Sequence, residues 1–145
     1  QDAWDCQLCK GWTSEMETVF NSMVYKDDVI FLGRQPVDEL VKITGAALAM
    51  TYISYFEGFG VPIIEAMRSG VPVITSNVTS MPEVSGDAAL LVDPFNVNEI
   101  ADAMKKILVE PALRSSLISK GLEQSRRFSW ENTSTKLWDC INKAV

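Results

Sequence analysis

Glu57 and Glu65 bracket the run E-G-F-G-V-P-I-I-E, which joins a bare-backbone turn, a helix start and two carboxylates in one short stretch. Gly58 and Gly60 permit unusual backbone angles and close approach of a ligand. The first N–H groups of a helix lack internal carbonyl partners and sit at the positive end of its dipole, so phosphate oxygens suit them. Glu65, near the fourth helical position, can accept two hydroxyl hydrogen bonds from a ribose. Glu57 precedes the turn and could meet the sugar side of the same ligand. The unit therefore fits a molecule carrying both phosphate and hydroxyl groups. The same pattern also describes a structural turn flanked by a capping acid and a surface acid. The spacing alone does not define an acid/base pair. Because Ile63, Ile64, Ala66 and Met67 flank it, Glu65 is expected to be partly shielded from solvent.

The run A-A-L-A-M-T-Y-I at 46–53 reads as a buried strand leading into this turn, at least over its C-terminal part. Pro62 suits the first helical position and biases Val61 away from helical angles, so a helix is expected from about Pro62 to Arg68, stopped by Gly70. V-P-V-I-T at 71–75 and A-A-L-L-V at 88–92 read as further strands. Ser80-Met81-Pro82-Glu83 has the logic of a capped helix start, as does Asn96 with Glu99 ahead of a stripe of Ile100, Met104, Ile107 and Leu108. Pro111 opens the way to a helix over about Ala112 to Gln124, and Ser129 caps a last helix carrying Trp130, Leu137, Trp138 and Ile141. Upstream, a short strand is expected to end near Cys9, and Ser14 with Glu17 to open a helix towards Met23. V-I-F-L-G at 29–33 reads as a buried strand, and Pro36 as the start of a helix turning Leu40, Val41 and Ile43 inward. Alternating strands and helices specify an α/β fold: a Rossmann-like, mainly parallel sheet with helices on both faces. In such sheets ligands bind beyond the C-terminal strand ends, where Glu57 to Gly60 would lie.

With 145 residues, 47% of them hydrophobic, the chain is expected to form one folded domain over 1–145. A net charge of −6 disfavours nucleic acid or an anionic membrane as the main partner. No apolar segment approaches the roughly 20 residues that span a bilayer, and the start has no basic leader followed by an apolar run. Three cysteines cannot all pair internally, so reduced thiols and a cytoplasmic setting are the expectation. Cys6 and Cys9 form a C-Q-L-C, for which a redox pair or half a zinc site are the alternatives to structural thiols. With no histidine in the chain, no metal site is expected. A D-x-D, a Walker motif and a full G-x-G-x-x-G are all missing.

From about Gly11 to Val145 the sequence resembles the C-terminal half of a family 4, retaining, two-domain glycosyltransferase of the GT-B fold. The resemblance is carried by V-I-F-L-G at 29–33, F-E-G-F-G-V-P-I-I-E-A-M at 56–67, S-G-V-P-V-I-T-S-N at 69–77, M-P-E-V-S-G-D-A-A-L-L-V-D-P at 81–94 and R-F-S-W-E at 127–131. It implies a nucleotide-sugar donor, with UDP, GDP or ADP equally open, and no separate cofactor. Glu57 looks like the first glutamate of the family's E-x7-E motif, at the donor sugar and the reacting centre. Its implied role is orientation and charge stabilisation at the sugar. Gly58, Phe59, Gly60 and Val61 look like the loop approaching sugar and diphosphate, and Glu65 like the ribose-binding glutamate. Arg34 begins the loop where relatives hold the base, with a surface charge as its alternative role. The resemblance further implies an arginine and a lysine that grip the phosphates upstream of Gln1, and a preceding N-terminal domain on the acceptor side. Where relatives often carry proline-serine before the motif, this chain has Ile53-Ser54-Tyr55-Phe56. A non-catalytic α/β nucleotide-binding or regulatory module is the alternative reading.

Overall fold

The computed structural model describes residues 13–144, so the strand expected near Cys9 and the Cys6–Cys9 pair lie outside the described residues. Two compact units divide the chain, Gln1–Leu40 and Val41–Val145.

In the first unit, helix α1 (Ser14–Ser22) starts at the residue expected to cap it, and the cap lies one residue earlier. Thr13 has the extended backbone of an N-cap, and its Oγ1 accepts the Met16 N–H at 3.3 Å. A short 3₁₀ turn, Lys26–Asp28, follows. The strand expected over Val29 to Gly33 does not form; no ladder involves it among the described residues, and Ile30 is 77% exposed. An apolar run becomes a strand only with a hydrogen-bonded neighbour and a face to bury. Phe31 instead meets Phe20 edge-on, with ring centroids 5.6 Å apart. Helix α2 (Val37–Gly45), whose residues from Val41 onward belong to the second unit, begins after Pro36 as expected, but Leu40, Val41 and Ile43 are exposed rather than turned into a core.

The second unit carries the sheet. Strands β1 (Met50–Tyr52), β2 (Val73–Ser76) and β3 (Ala89–Val92) pair in parallel in the order β1-β2-β3, with Met50 opposite Val73 and Val73 opposite Ala89. β2 is central and wholly buried, whereas β1 is shorter than the run 46–53 suggests and only half-buried, as befits an edge. Between the strands lie α3 (Val61–Arg68) and the short α4 (Met81–Ser85); α5 (Val97–Val109), α6 (Pro111–Ser125) and α7 (Trp130–Ala144) complete the chain.

Alternation along β2 sends Val73 to one face and Ile74 to the other, giving two cores. Val73 packs with Ile63, Ala66 and Met67 of α3 and with Met81 and Val84 of α4. Ile74 and Val92 pack with Ala103 and Ile107 of α5 and Leu117 of α6. Of the stripe expected on α5, Ile107 is buried and Ile100 half-buried, while Met104 and Leu108 are exposed. The helix ends follow their chemistry. Asn96 Oδ1 accepts the Glu99 N–H at 3.2 Å, and the Ser129 Oγ accepts the Asn132 N–H at 3.1 Å. α3 closes in a Schellman turn: Gly70, at φ 71°, donates to Met67, and Val71 donates to Ala66.

Candidate functional site

The loop of residues 53–60 leaves the C-terminal end of β1 and enters α3, the position where open parallel sheets receive ligands. Gly60 is the N-cap of α3 at φ 101°, ψ 49°, left-handed space that only glycine enters readily. Its cap supplies no side-chain oxygen, so the leading N–H groups of α3 receive no acceptor from the cap. Val61 is the first helical residue and Pro62 the second, one position later than expected.

Glu57 is half-buried and held from three directions. Its Oε1 accepts the Tyr52 hydroxyl at 2.6 Å and the Ser54 hydroxyl at 3.0 Å. These bonds, Tyr52 foremost, favour the ionised form and hold the carboxyl below its ordinary pKa against a smaller opposing effect of desolvation. Reciprocally, the carboxylate raises the Tyr52 hydroxyl. The Glu57 N–H donates to Thr79 Oγ1 at 3.4 Å, and the Ser80 hydroxyl lies 3.0 Å from the carbonyls of both Glu57 and Phe59. The expected Ser80 cap is thus corrected: Ser80 has helical rather than extended backbone angles, makes no cap bond, and turns its hydroxyl to the loop. Thr79, at φ 56°, is the one non-glycine residue with positive φ among the described residues. A β-branched residue in that region is strained, and here the strain accompanies a hydroxyl aimed at the Glu57 amide.

The remaining site residues occupy different surroundings. Gly58 is exposed, with nothing within 4 Å of where a Cβ would stand. Phe59 and Val61 are exposed, and the Phe59 ring meets Phe128 edge-on at 5.7 Å. Glu65 is exposed, although Ile63, Ile64, Ala66 and Met67 around it are buried. Helical geometry explains the difference, because those four turn towards the core while position 65 points out between them. Glu65 lines a concavity of about 430 Å³ with Val41, Gly45, Arg68 and Ser69. Arg34 is exposed and belongs to the first unit, directly after Gly33. Tyr55 and Phe95, exposed on the loops after β1 and β3, touch at 4.8 Å between ring centroids. Tyr52, Ser54, Thr79 and Ser80 were not foreseen as parts of the site. Tyr52 read as a strand residue and Ser80 as a cap; only the hydroxyls at the end of β1 and on the loops after β1 and β2, seen together, reveal the cluster. Among the described residues no group of three or more His, Cys, Asp or Glu side chains could hold a metal, and no helix is long and apolar enough to cross a membrane. Cys140 is exposed as a free thiol.

A parallel sheet between helical layers, with a glycine-capped helix and a fixed carboxylate at its C-terminal edge, defines an α/β domain of Rossmann-like type. Residues 11–124 match the family described as glycosyl transferases group 1, and the chain belongs to that family. It is 45% identical over 106 residues to the O-antigen chain mannosyltransferase B of Escherichia coli, covering 73% of this chain and 28% of that protein. With the D-inositol 3-phosphate glycosyltransferase of Corynebacterium aurimucosum the identity is 35% over 137 residues, 91% of this chain and 32% of that protein. Among solved structures, sucrose-phosphate synthase from Thermosynechococcus elongatus superposes with a TM-score of 0.72 at 31% identity, covering 90% of this chain and 34% of that one. The fold is accordingly GT-B-like, and the chain spans about a third or less of each of these relatives.

Proposed function

We propose that this chain is the donor-binding, C-terminal domain of a retaining glycosyltransferase that moves a sugar from a nucleoside diphosphate sugar to an acceptor hydroxyl. The observation that carries the reading is Glu57: a carboxylate kept ionised at the C-terminal edge of the sheet, beside a bare helix start. The diphosphate lies along Gly58, Phe59, Gly60 and Val61, whose backbone groups and helix dipole receive its charge. Glu65 takes the ribose hydroxyls. Glu57 orients the sugar and stabilises positive charge developing at its anomeric carbon. It is not assigned as a covalent nucleophile. The acceptor side of the cleft belongs to an N-terminal domain of the same protein, so this chain alone is expected to show little turnover. Mannose is the sugar to test first, because it is named in the O-antigen chain relative.

The test is titration of UDP, GDP and ADP, and of their sugar conjugates, while backbone NMR shifts are recorded. Shifts concentrated between Gly58 and Glu65 are expected for one of the bases. No response there at millimolar nucleotide overturns donor binding.

A further inference from the structure

We propose that Tyr52 is a positioning residue for Glu57: with Ser54 it occupies one carboxylate oxygen and leaves the other, Oε2, as the oxygen that faces the ligand. The proposal rests on the donor-site reading of the loop and adds to it a means of aiming the carboxylate. Its basis is a continuous chain of bonds running out from the centre of the sheet. β2 is fully buried, and two of its hydroxyls reach sideways rather than into a core. Thr75 Oγ1 donates to the Tyr52 carbonyl at 2.7 Å, and Ser76 Oγ donates to the Ser54 carbonyl at 2.6 Å. The backbones of Tyr52 and Ser54 are thereby tied to the central, fully buried strand.

The side chains of those same two residues then converge on Glu57 Oε1, at 2.6 and 3.0 Å. A carboxylate oxygen offers two lone-pair directions, so two donors saturate Oε1. Tyr52 also packs its ring against the core under α3, which fixes where its hydroxyl stands. Thr79 and Ser80 hold the Glu57 backbone from the opposite side, through hydroxyls and not charges. Loop, strand and turn together set both the place and the rotation of the carboxylate. A side chain locked this way loses little rotamer freedom when ligand arrives. The lowered carboxyl pKa and the raised Tyr52 pKa agree with an ionised carboxylate accepting the hydrogen bond of a tyrosine hydroxyl that keeps its proton.

The test uses the full-length protein with Tyr52→Phe, which keeps the ring, and Glu57→Gln as the reference. Three readouts are compared: the unfolding midpoint, the titration of the Glu57 carboxyl carbon by NMR, and affinity for nucleoside diphosphate against nucleoside diphosphate sugar. For Tyr52→Phe the carboxyl titration should move upward, and affinity for the sugar conjugate should fall by about tenfold, the order of one charge-assisted hydrogen bond. Affinity for the diphosphate alone should stay unchanged. An unshifted titration, or equal losses for both ligands, overturns the positioning role. So does an unchanged sugar affinity in Tyr52→Phe while Glu57→Gln is defective. If Glu57→Gln binds the sugar conjugate normally, the donor-site reading itself fails, and the positioning role falls with it.

Discussion

Gly58 and Gly60 share one loop, yet the backbone separates their roles. At Gly60 the left-handed angle is compounded by crowding, since a Cβ would stand 3.1 Å from Ile63 Cδ1 in the core. Gly60→Ala should therefore lose about 1 to 3 kcal/mol in urea unfolding, from backbone strain and overpacking. Gly58 has open space above it and no positive φ, so nothing in this chain requires glycine there. Gly58→Ala should unfold within about 0.5 to 1 kcal/mol of the parent, on the stabilising side, while titration with nucleotide sugar shows weakened binding. If Gly58→Ala binds normally, the ligand does not approach that backbone. Glu57 supplies a second residue-scale prediction, in pH. Its folded pKa is lowered, so its bonds to Tyr52 and Ser54 help the folded state only while it is ionised. That help is complete above the unfolded value, near pH 4 to 4.5, and is lost as pH falls through the folded value. The difference in thermal midpoint between the parent and Glu57→Gln should be present at neutral pH and close on acidification. Asp87, lowered by its 2.7 Å pair with Lys120, titrates in the same direction in both proteins and so cancels from that difference.

Elements decide how firmly the loop is held, and α3 is the element under it. Its buried face meets α6 where Gly121 leaves room for Met67, with a Cβ placed 3.1 Å from Met67 Cγ. Further along, the Gln124 side-chain amide donates to the Val84 carbonyl at 3.0 Å, tying α6 to α4. Gln124→Ala should cost about 1 to 3 kcal/mol, because the buried carbonyl is left without its donor. Chemical denaturation measures it, and a loss below about 0.5 kcal/mol would mean that water replaces the amide. Neither contact was legible in the sequence. What was legible followed local rules: the Asn96 and Ser129 caps, the Gly70 stop, the buried run of β2 and the turn into α3 all depend on residues within a few positions of each other. The failures are non-local. Val29 to Gly33 has strand composition, but its composition cannot provide a pairing neighbour. Ser80 has the cap residue type, but its hydroxyl is claimed by carbonyls more than twenty positions away. Glu65 sits among apolar neighbours, and the helical turn, rather than the neighbours, sets its exposure. The glutamates were visible as a motif; the hydroxyls that aim Glu57 were visible only after folding.

At the scale of the whole molecule, the distribution of buried surface predicts a distribution of stability. No described residue of the first unit is buried, and its helix α1 has no buried side chain. In the second unit the largest fully buried side chains come from α3, β2, α4, β3 and α5. α7 is different again: it has no buried residue, and Trp130 and Trp138 are 87% and 63% exposed. Amide exchange reports local opening, whose free energy runs from near zero where few apolar contacts resist it up to the global value in the core. Exchange should therefore be slowest along β2 and the buried turns of α3 and α5. In α1 and α7 it should be faster by roughly two orders of magnitude or more, because isolated helices of this length are marginal in water. Hydrogen exchange read by mass spectrometry on this chain checks the ordering. Equal protection in α7 and α3 would mean that the tryptophan face of α7 is covered in solution, by self-association or by packing onto the domain. Dilution separates the two, since only self-association loses its protection as concentration falls.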